Sequence, residues 1–142
     1  MIRVVLDTNI VVSANLRAGG LPEAVFNLAV DGVIQLCVSE PVLAEYEEVL
    51  SRARLAIPPE KVATALARIR EKGSLVVPVA VDAAACPDDP DDLIFLECAE
   101  ASAADYLVTG NRKHYPDQWK KTRIVTVREF FELTADALSH PS

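Results

Sequence analysis

Five short apolar runs, rich in β-branched residues, are spaced along the chain at residues 2–6, 33–38, 75–79, 106–109 and 123–127. Runs of this length with apolar side chains at successive positions suit strands buried on both faces. Between them lie segments with apolar residues at helical spacing, at 21–30, from Ser39 to about 52, from Pro58-Pro59 to Gly73, at 91–104 and at 128–137. Pro22 and Pro41 sit where a first helical turn tolerates proline, Ser39 is a good N-cap, and Gly32 and Gly73 are stops. Strand alternating with helix requires crossover connections and hence a mainly parallel sheet covered on both sides. The expected fold is α/β: a three-layer α/β/α sandwich with a central, mainly parallel twisted sheet of four to five strands. A chain of 142 residues makes one such domain. It is expected over residues 1–138, with 139–142 as a tail free to fray.

Several function classes are excluded. No apolar stretch approaches the ~18 residues of a membrane span, and the start, Met-Ile-Arg-Val-Val-Leu-Asp, lacks the apolar core of a leader. Cys37, Cys86 and Cys98 are odd in number and widely separated, so free thiols in a reducing cytoplasm are expected. No Gly-x-x-x-x-Gly-Lys-Ser/Thr loop is present, and the two histidines, His114 and His140, are not set for nucleophilic catalysis. A phospho-accepting receiver domain also gathers acids at strand ends, but it needs an adjacent acidic pair after the first strand, which is missing here.

Charge is unevenly spread. The net charge is −7, and no basic residue falls between Lys72 and Arg112, where Asp82, Asp88, Asp89, Asp91, Asp92, Glu97, Glu100 and Asp105 crowd together. Such a zone repels a phosphate backbone unless a cation intervenes. Directly downstream Arg112, Lys113, Lys120, Lys121 and Arg123 are interleaved with His114, Tyr115 and Trp119. That cluster either holds phosphates and bases beside a reacting bond or merely solvates a loop, and composition does not choose.

In open parallel sheets ligands bind outside the carboxyl ends of the strands, so Asp7 and Asn111, each following an apolar run, are candidates. Asp7-Thr8-Asn9 also reads as an ordinary turn. At about 100° per residue, Asp92 projects along the stripe of Leu96, Ala99 and Ala103, while Asp91 points off it. Capping is the competing role for Asp92, and Asp89 could supply that equally well. Around Val42, Tyr46, Val49 and Leu50, Glu45 and Glu47 flank the apolar stripe on opposite sides, and helical geometry does not choose between them.

Five segments occur in order with compatible spacing: Asp7-Thr8-Asn9-Ile10; Ser39-Glu40-x-Val42-Leu43-x-Glu45; Asp89-Pro90-x-Asp92, seven residues before Ala99; Ala104-Asp105-Tyr106-Leu107-Val108-Thr109-Gly110 before Asn111; and Val127-x-Glu129-Phe130. Together they resemble the PIN-domain family over nearly the whole chain, most closely the VapC-like ribonucleases of toxin–antitoxin systems. The resemblance implies a metal-dependent endoribonuclease acting on RNA, with Asp7, Glu45 and Asp92 as ligands of Mg²⁺ or Mn²⁺. It implies Asn9 and Thr109 as groups orienting carboxylates and waters, and it selects Glu45 over Glu47. It further implies a small antitoxin partner and a homodimer. Arg112, Lys113, Lys120 and Lys121 become the expected RNA contacts. The chain departs from the family at Asn111, where many members carry a fourth aspartate. A neutral amide removes a charge that would hold a second cation, so one cation, more weakly bound, is expected. The same departure and the overall acidity fit an alternative: a catalytically silent PIN-like module that binds RNA or protein.

Overall fold

The computed structural model describes residues 1–86 and 90–139. Asp88, Asp89 and His140 lie outside the described residues. The strands are β1 (Arg3–Leu6), β2 (Gln35–Val38), β3 (Ser74–Leu75), β4 (Tyr106–Val108), β5 (Gln118–Trp119) and β6 (Thr122–Val125). Among the described residues they form one six-stranded sheet in the order β3-β2-β1-β4-β6-β5. Every neighbouring pair is parallel except β5 with β6. The helices are α1 (Thr8–Leu16), α2 (Leu21–Val30), α3 (Glu40–Leu50), α4 (Pro59–Lys72), α5 (Leu93–Ser102) and α6 (Val127–Ser139). Helix α5 packs across β1, β2 and β4, α6 on β4 and β6, and α2 and α4 on β2. Val4, Val5 and Leu6, consecutive in β1, are all fully buried, as expected of a strand covered on both faces.

Local chemistry sets several boundaries. Ser39 Oγ accepts from Val42 N at 3.3 Å to cap α3. At α6, Thr126 N donates to Glu129 Oε1 at 3.0 Å and Glu129 N donates to Thr126 Oγ1 at 3.1 Å, a reciprocal capping box.

Four elements differ from expectation. Residues 8–16 form helix α1 instead of a turn; its buried side chains, Thr8, Ile10, Val11, Ala14 and Asn15, pack against α2 and α3. The run at 75–79 is paired only at Ser74–Leu75 and through Val76 N to Val38 O at 2.8 Å. Pro78 has no N–H to continue a ladder, and Val79 N turns instead to Glu97 O of α5 at 3.3 Å. A sixth strand, β5, forms a hairpin with β6 through Lys120-Lys121, with Lys120 in the left-handed region at φ 52°. Helix α6 continues through Ser139, one residue past the expected domain end.

The chain runs outward from β1 to β2 and β3, then returns on the other side of β1 to form β4. Strand order therefore reverses between β1 and β4, and the crevice outside their carboxyl ends is where such a sheet binds ligands. One buried side chain fixes the elements around it. The Tyr46 hydroxyl, on α3, donates to the carbonyl of Leu6, the last residue of β1. The Tyr46 ring also lies 6.4 Å, centroid to centroid, from that of Phe95 on α5. Tyr46 and Phe95 are both buried.

Candidate functional site

Asp7 follows β1 directly, and its N–H donates to Val108 O at 2.9 Å, fastening the ends of β1 and β4 together. Its side chain is buried, and Oδ2 accepts from Thr109 Oγ1 at 2.7 Å, Tyr115 OH at 3.1 Å and Asn9 Nδ2 at 3.4 Å. Burial pushes the Asp7 carboxyl above the ordinary aspartate range, and the hydroxyls of Thr109 and Tyr115 only partly offset it. Asn9 Oδ1 accepts from Gly110 N at 3.0 Å, and Thr109 Oγ1 accepts from Asn111 N at 2.9 Å. A Cβ at position 110 would stand 3.3 Å from that Asn9 oxygen, so glycine permits the close approach. Asn9 and Thr109 thus clasp Asp7 between two strand ends.

Asp7 opens onto a cavity of about 400 Å³ whose wall also carries Glu45, Asp91, Asp92 and Asn111. The four residues singled out from the sequence therefore share one concavity, contributed by β1, α3, the start of α5 and the segment after β4. Glu45 is half-buried, whereas Glu47 is exposed and does not line the cavity. The Glu45 carboxyl is raised by burial first, then by the negative charges of Asp91 and Glu48. Asp92 is buried, with Oδ2 3.1 Å from His114 Nδ1. His114 and Tyr115 come from a 3-10 turn (Arg112–His114) and the residue after it, so adjacent residues reach Asp92 and Asp7. Asn111 is exposed at the cavity edge.

The expected basic contacts are not gathered there. Lys121 Nζ lies 3.5 Å from Asp105 Oδ1 and Lys120 Nζ 3.9 Å from Glu100 Oε1. Asp105 Oδ2 accepts from Arg3 N at the other end of β1. Four residues at about 3.3 Å each put Lys120 and Lys121 roughly 13 Å of sheet away from Asp7. Asp105 likewise belongs to that far end. Arg112 is neutralised by Glu129 at 3.0 Å and Asp117 at 3.4 Å. Lys113 is exposed and follows Asn111 by two residues.

Sequence reasoning missed four residues: Asp91, Tyr115, Arg52 and Arg54. Ideal α-helical geometry turns Asp91 off the buried stripe, but residues Pro90–Asp92 form a 3-10 turn and α5 begins at Leu93. The 3-10 turn breaks the α-helical phase ahead of Leu93, and Asp91, though exposed, lines the cavity beside buried Asp92. Arg52, at the expected end of the helix from Ser39, and Arg54 line the cavity from the link after α3, where helical spacing gives no sign of what they face.

The donor set, carboxylate and amide oxygens, suits a hard divalent cation. Among the described residues no three His, Cys, Asp or Glu side chains stand as a ready ligand group for one ion. Cys37, Cys86 and Cys98 are buried and none forms a disulfide among the described residues.

A family profile described as PIN domain matches residues 3–113. Five chains of solved structures match. Among them is one in the crystal structure of VapBC2 from Rickettsia felis bound to a DNA fragment from their promoter, with 20% sequence identity and a TM-score of 0.57, covering 87% of this chain and 97% of that one. At that identity the likeness is one of fold. No curated protein matches.

Proposed function

The chain belongs to the PIN-domain family, and from that premise we propose that it is a divalent-cation-dependent endoribonuclease, the toxin half of a toxin–antitoxin pair. The observation that carries this reading is the cavity at the switch point between β1 and β4, with Asp7, Glu45, Asp91 and Asp92 in its wall. Burial holds the Asp7 and Glu45 carboxyls above their ordinary range, and at Glu45 the negative charges of Asp91 and Glu48 add to it. A cation relieves that crowding, and a phosphate approaching without one is repelled.

Asp7, Glu45 and Asp92 would hold Mg²⁺ or Mn²⁺. Mg²⁺ keeps several waters and takes one or two carboxylates directly, so a loosely spaced set suits it. Bound there, the ion would neutralise the carboxylates, lower the pKa of a water and take up charge on the phosphate oxygens. The protein's own part is positional. Thr109, Tyr115 and Asn9 hold Asp7 in one orientation, and His114 holds Asp92. Glu45, half-buried in the same cavity wall, would complete the set from α3 and help orient the attacking water. Asn111 offers a neutral amide to the phosphate, and with no fourth carboxylate one cation is the proposed occupancy. The antitoxin partner is supported by the VapBC2 assembly of the structural neighbour. Among the described residues no helix is long and apolar enough to cross a membrane. We place the protein in the cytoplasm, as a homodimer with RNA as substrate.

Asn111 and the lack of a ready ligand group among the described residues favour a second reading, a silent module that binds RNA or protein without turnover. RNA cleavage with Mn²⁺, with and without chelator, in wild type, Asp7→Asn and Asp92→Asn separates the two. Chelator should abolish cleavage, and each variant should lose about 100-fold or more, beyond what supporting residues of metal sites cost. Cleavage that resists chelator and is unchanged in both variants overturns the nuclease; no cleavage by wild type supports the module.

A further inference from the structure

We infer that Arg52 and Arg54, on the link between α3 and α4, form a phosphate subsite through which single-stranded RNA enters the acidic cavity. The inference rests on the nuclease reading and adds the path of the strand, which the 112–121 segment does not provide. Both arginines line the same cavity as Asp7, Glu45 and Asp92. Arg52 is pre-oriented: Glu48, one helical turn earlier, accepts from its Nη2 at 2.8 Å and its Nε at 3.2 Å, leaving the other guanidinium N–H groups unused. The Arg52 charge is also felt at Glu45, where it opposes the upward shift of that carboxyl. Arg54, in the 3-10 turn at Ala53–Leu55, is exposed and has no ion-pair partner among the described residues.

A cavity lined by both carboxylates and guanidinium groups repels a lone anion at the former and a lone cation at the latter. A ligand satisfies both walls when it carries one phosphate accompanied by a divalent cation and another free to pair with arginine. Consecutive phosphates of a nucleic-acid strand do this, and a planar guanidinium is the side chain best shaped to grip one. The alternative footprint is weaker on geometry. Lys120 and Lys121 face Glu100 and Asp105 at the opposite end of the sheet, and Arg112 is committed to Glu129 and Asp117.

The test is the anisotropy of a fluorescein-labelled single-stranded oligoribonucleotide of mixed sequence, titrated with protein at several salt concentrations, beside cleavage of the same RNA with Mn²⁺. Arg54→Glu, at an exposed position where folding is not at stake, should weaken binding about tenfold or more and reduce the slope of log K against log salt by about 0.7 for each phosphate no longer neutralised. In cleavage it should raise KM with little change in kcat, the signature of binding lost equally from ground and transition states. Lys120→Ala/Lys121→Ala should leave both unchanged. Wild type that cleaves RNA while Arg54→Glu binds normally, or while the lysine variant carries the loss, overturns the subsite and leaves the nuclease standing. Arg54-dependent binding with no Mn²⁺-dependent cleavage upholds the subsite and overturns the nuclease; no binding by wild type overturns the subsite.

Discussion

Replacing Tyr46 with phenylalanine removes one oxygen and tests how the site is held together. The hydroxyl donates to the carbonyl of Leu6, the residue before Asp7, from the residue after Glu45, and the ring meets Phe95, three residues beyond Asp92. Phenylalanine keeps the aromatic contact, so the substitution isolates the tie between β1 and α3. A buried carbonyl stripped of its donor costs about 1–3 kcal/mol. At about 2–4 °C per kcal/mol for a chain near this length, a loss of about 2 kcal/mol lowers Tm by about 4–8 °C. Urea melts followed by circular dichroism should show a lower midpoint with an unchanged slope. Mn²⁺ affinity, measured by calorimetry on the folded variant, should fall as well, because the frames carrying Asp7 and Glu45 lose their common anchor. A loss below about 0.5 kcal/mol, within the range of inconsequential substitutions, would refute the assigned bond. A full stability loss with unaltered Mn²⁺ affinity would refute the positioning role.

Two further outcomes follow from the electrostatics. Burial raises the Asp7 carboxyl in the folded protein, so the native state holds that proton more tightly than the unfolded chain does and its ionisation opposes folding. Without divalent cation, Asp7→Asn should therefore be more stable than wild type at neutral pH. The gap should open as pH rises from the unfolded aspartate value of 3.8 through the raised folded one, and close below it; melts at acidic and neutral pH check this, and a variant less stable at neutral pH contradicts it. Glu129 is lowered, first by its bond to the Thr126 backbone, so its contribution is present above 4.5 and lost as pH falls through the lower folded value. Glu129→Gln keeps a capping-box acceptor but should remove that acid-side dependence, read from urea melts at acidic and neutral pH, and a pH profile identical to wild type would contradict it.

The end of the first strand was legible because its β-branched run stops abruptly at Leu6 before Asp7, whereas β4 ends at Val108, one residue short of the expected run, because Thr109 turns its side chain to Asp7. Asp92 was legible through its place ahead of an apolar helix. Helix α1 was not, because Ile10, Val11, Val12 and Ala14 spread around its axis with no stripe to detect, and Thr8 and Asn9 favour turns. Glu45 and Glu47 were equivalent by periodicity until α3 was docked, since its contacts with α1 and α5 decide which flank faces the cavity. The placement of the basic cluster was not legible, because proximity along the chain is not proximity in space: the β5–β6 hairpin carries Lys120 and Lys121 to the end of the sheet away from Asp7, and no signal at Gln118–Trp119 announced that strand. Arg52 and Arg54 lie at and beyond the expected end of a helix, so only the folded chain brings them to the carboxylates.

The central claim is that Asp7, Glu45 and Asp92 act together on one divalent cation. Calorimetric titration of Mn²⁺ into the intact protein, beside Asp7→Asn, Glu45→Gln and Asp92→Asn, tests it without requiring a substrate. One binding event in wild type, weakened at least tenfold by each substitution and raising Tm with Mn²⁺ concentration, is the predicted result. No binding by wild type, or binding indifferent to all three substitutions, would contradict it.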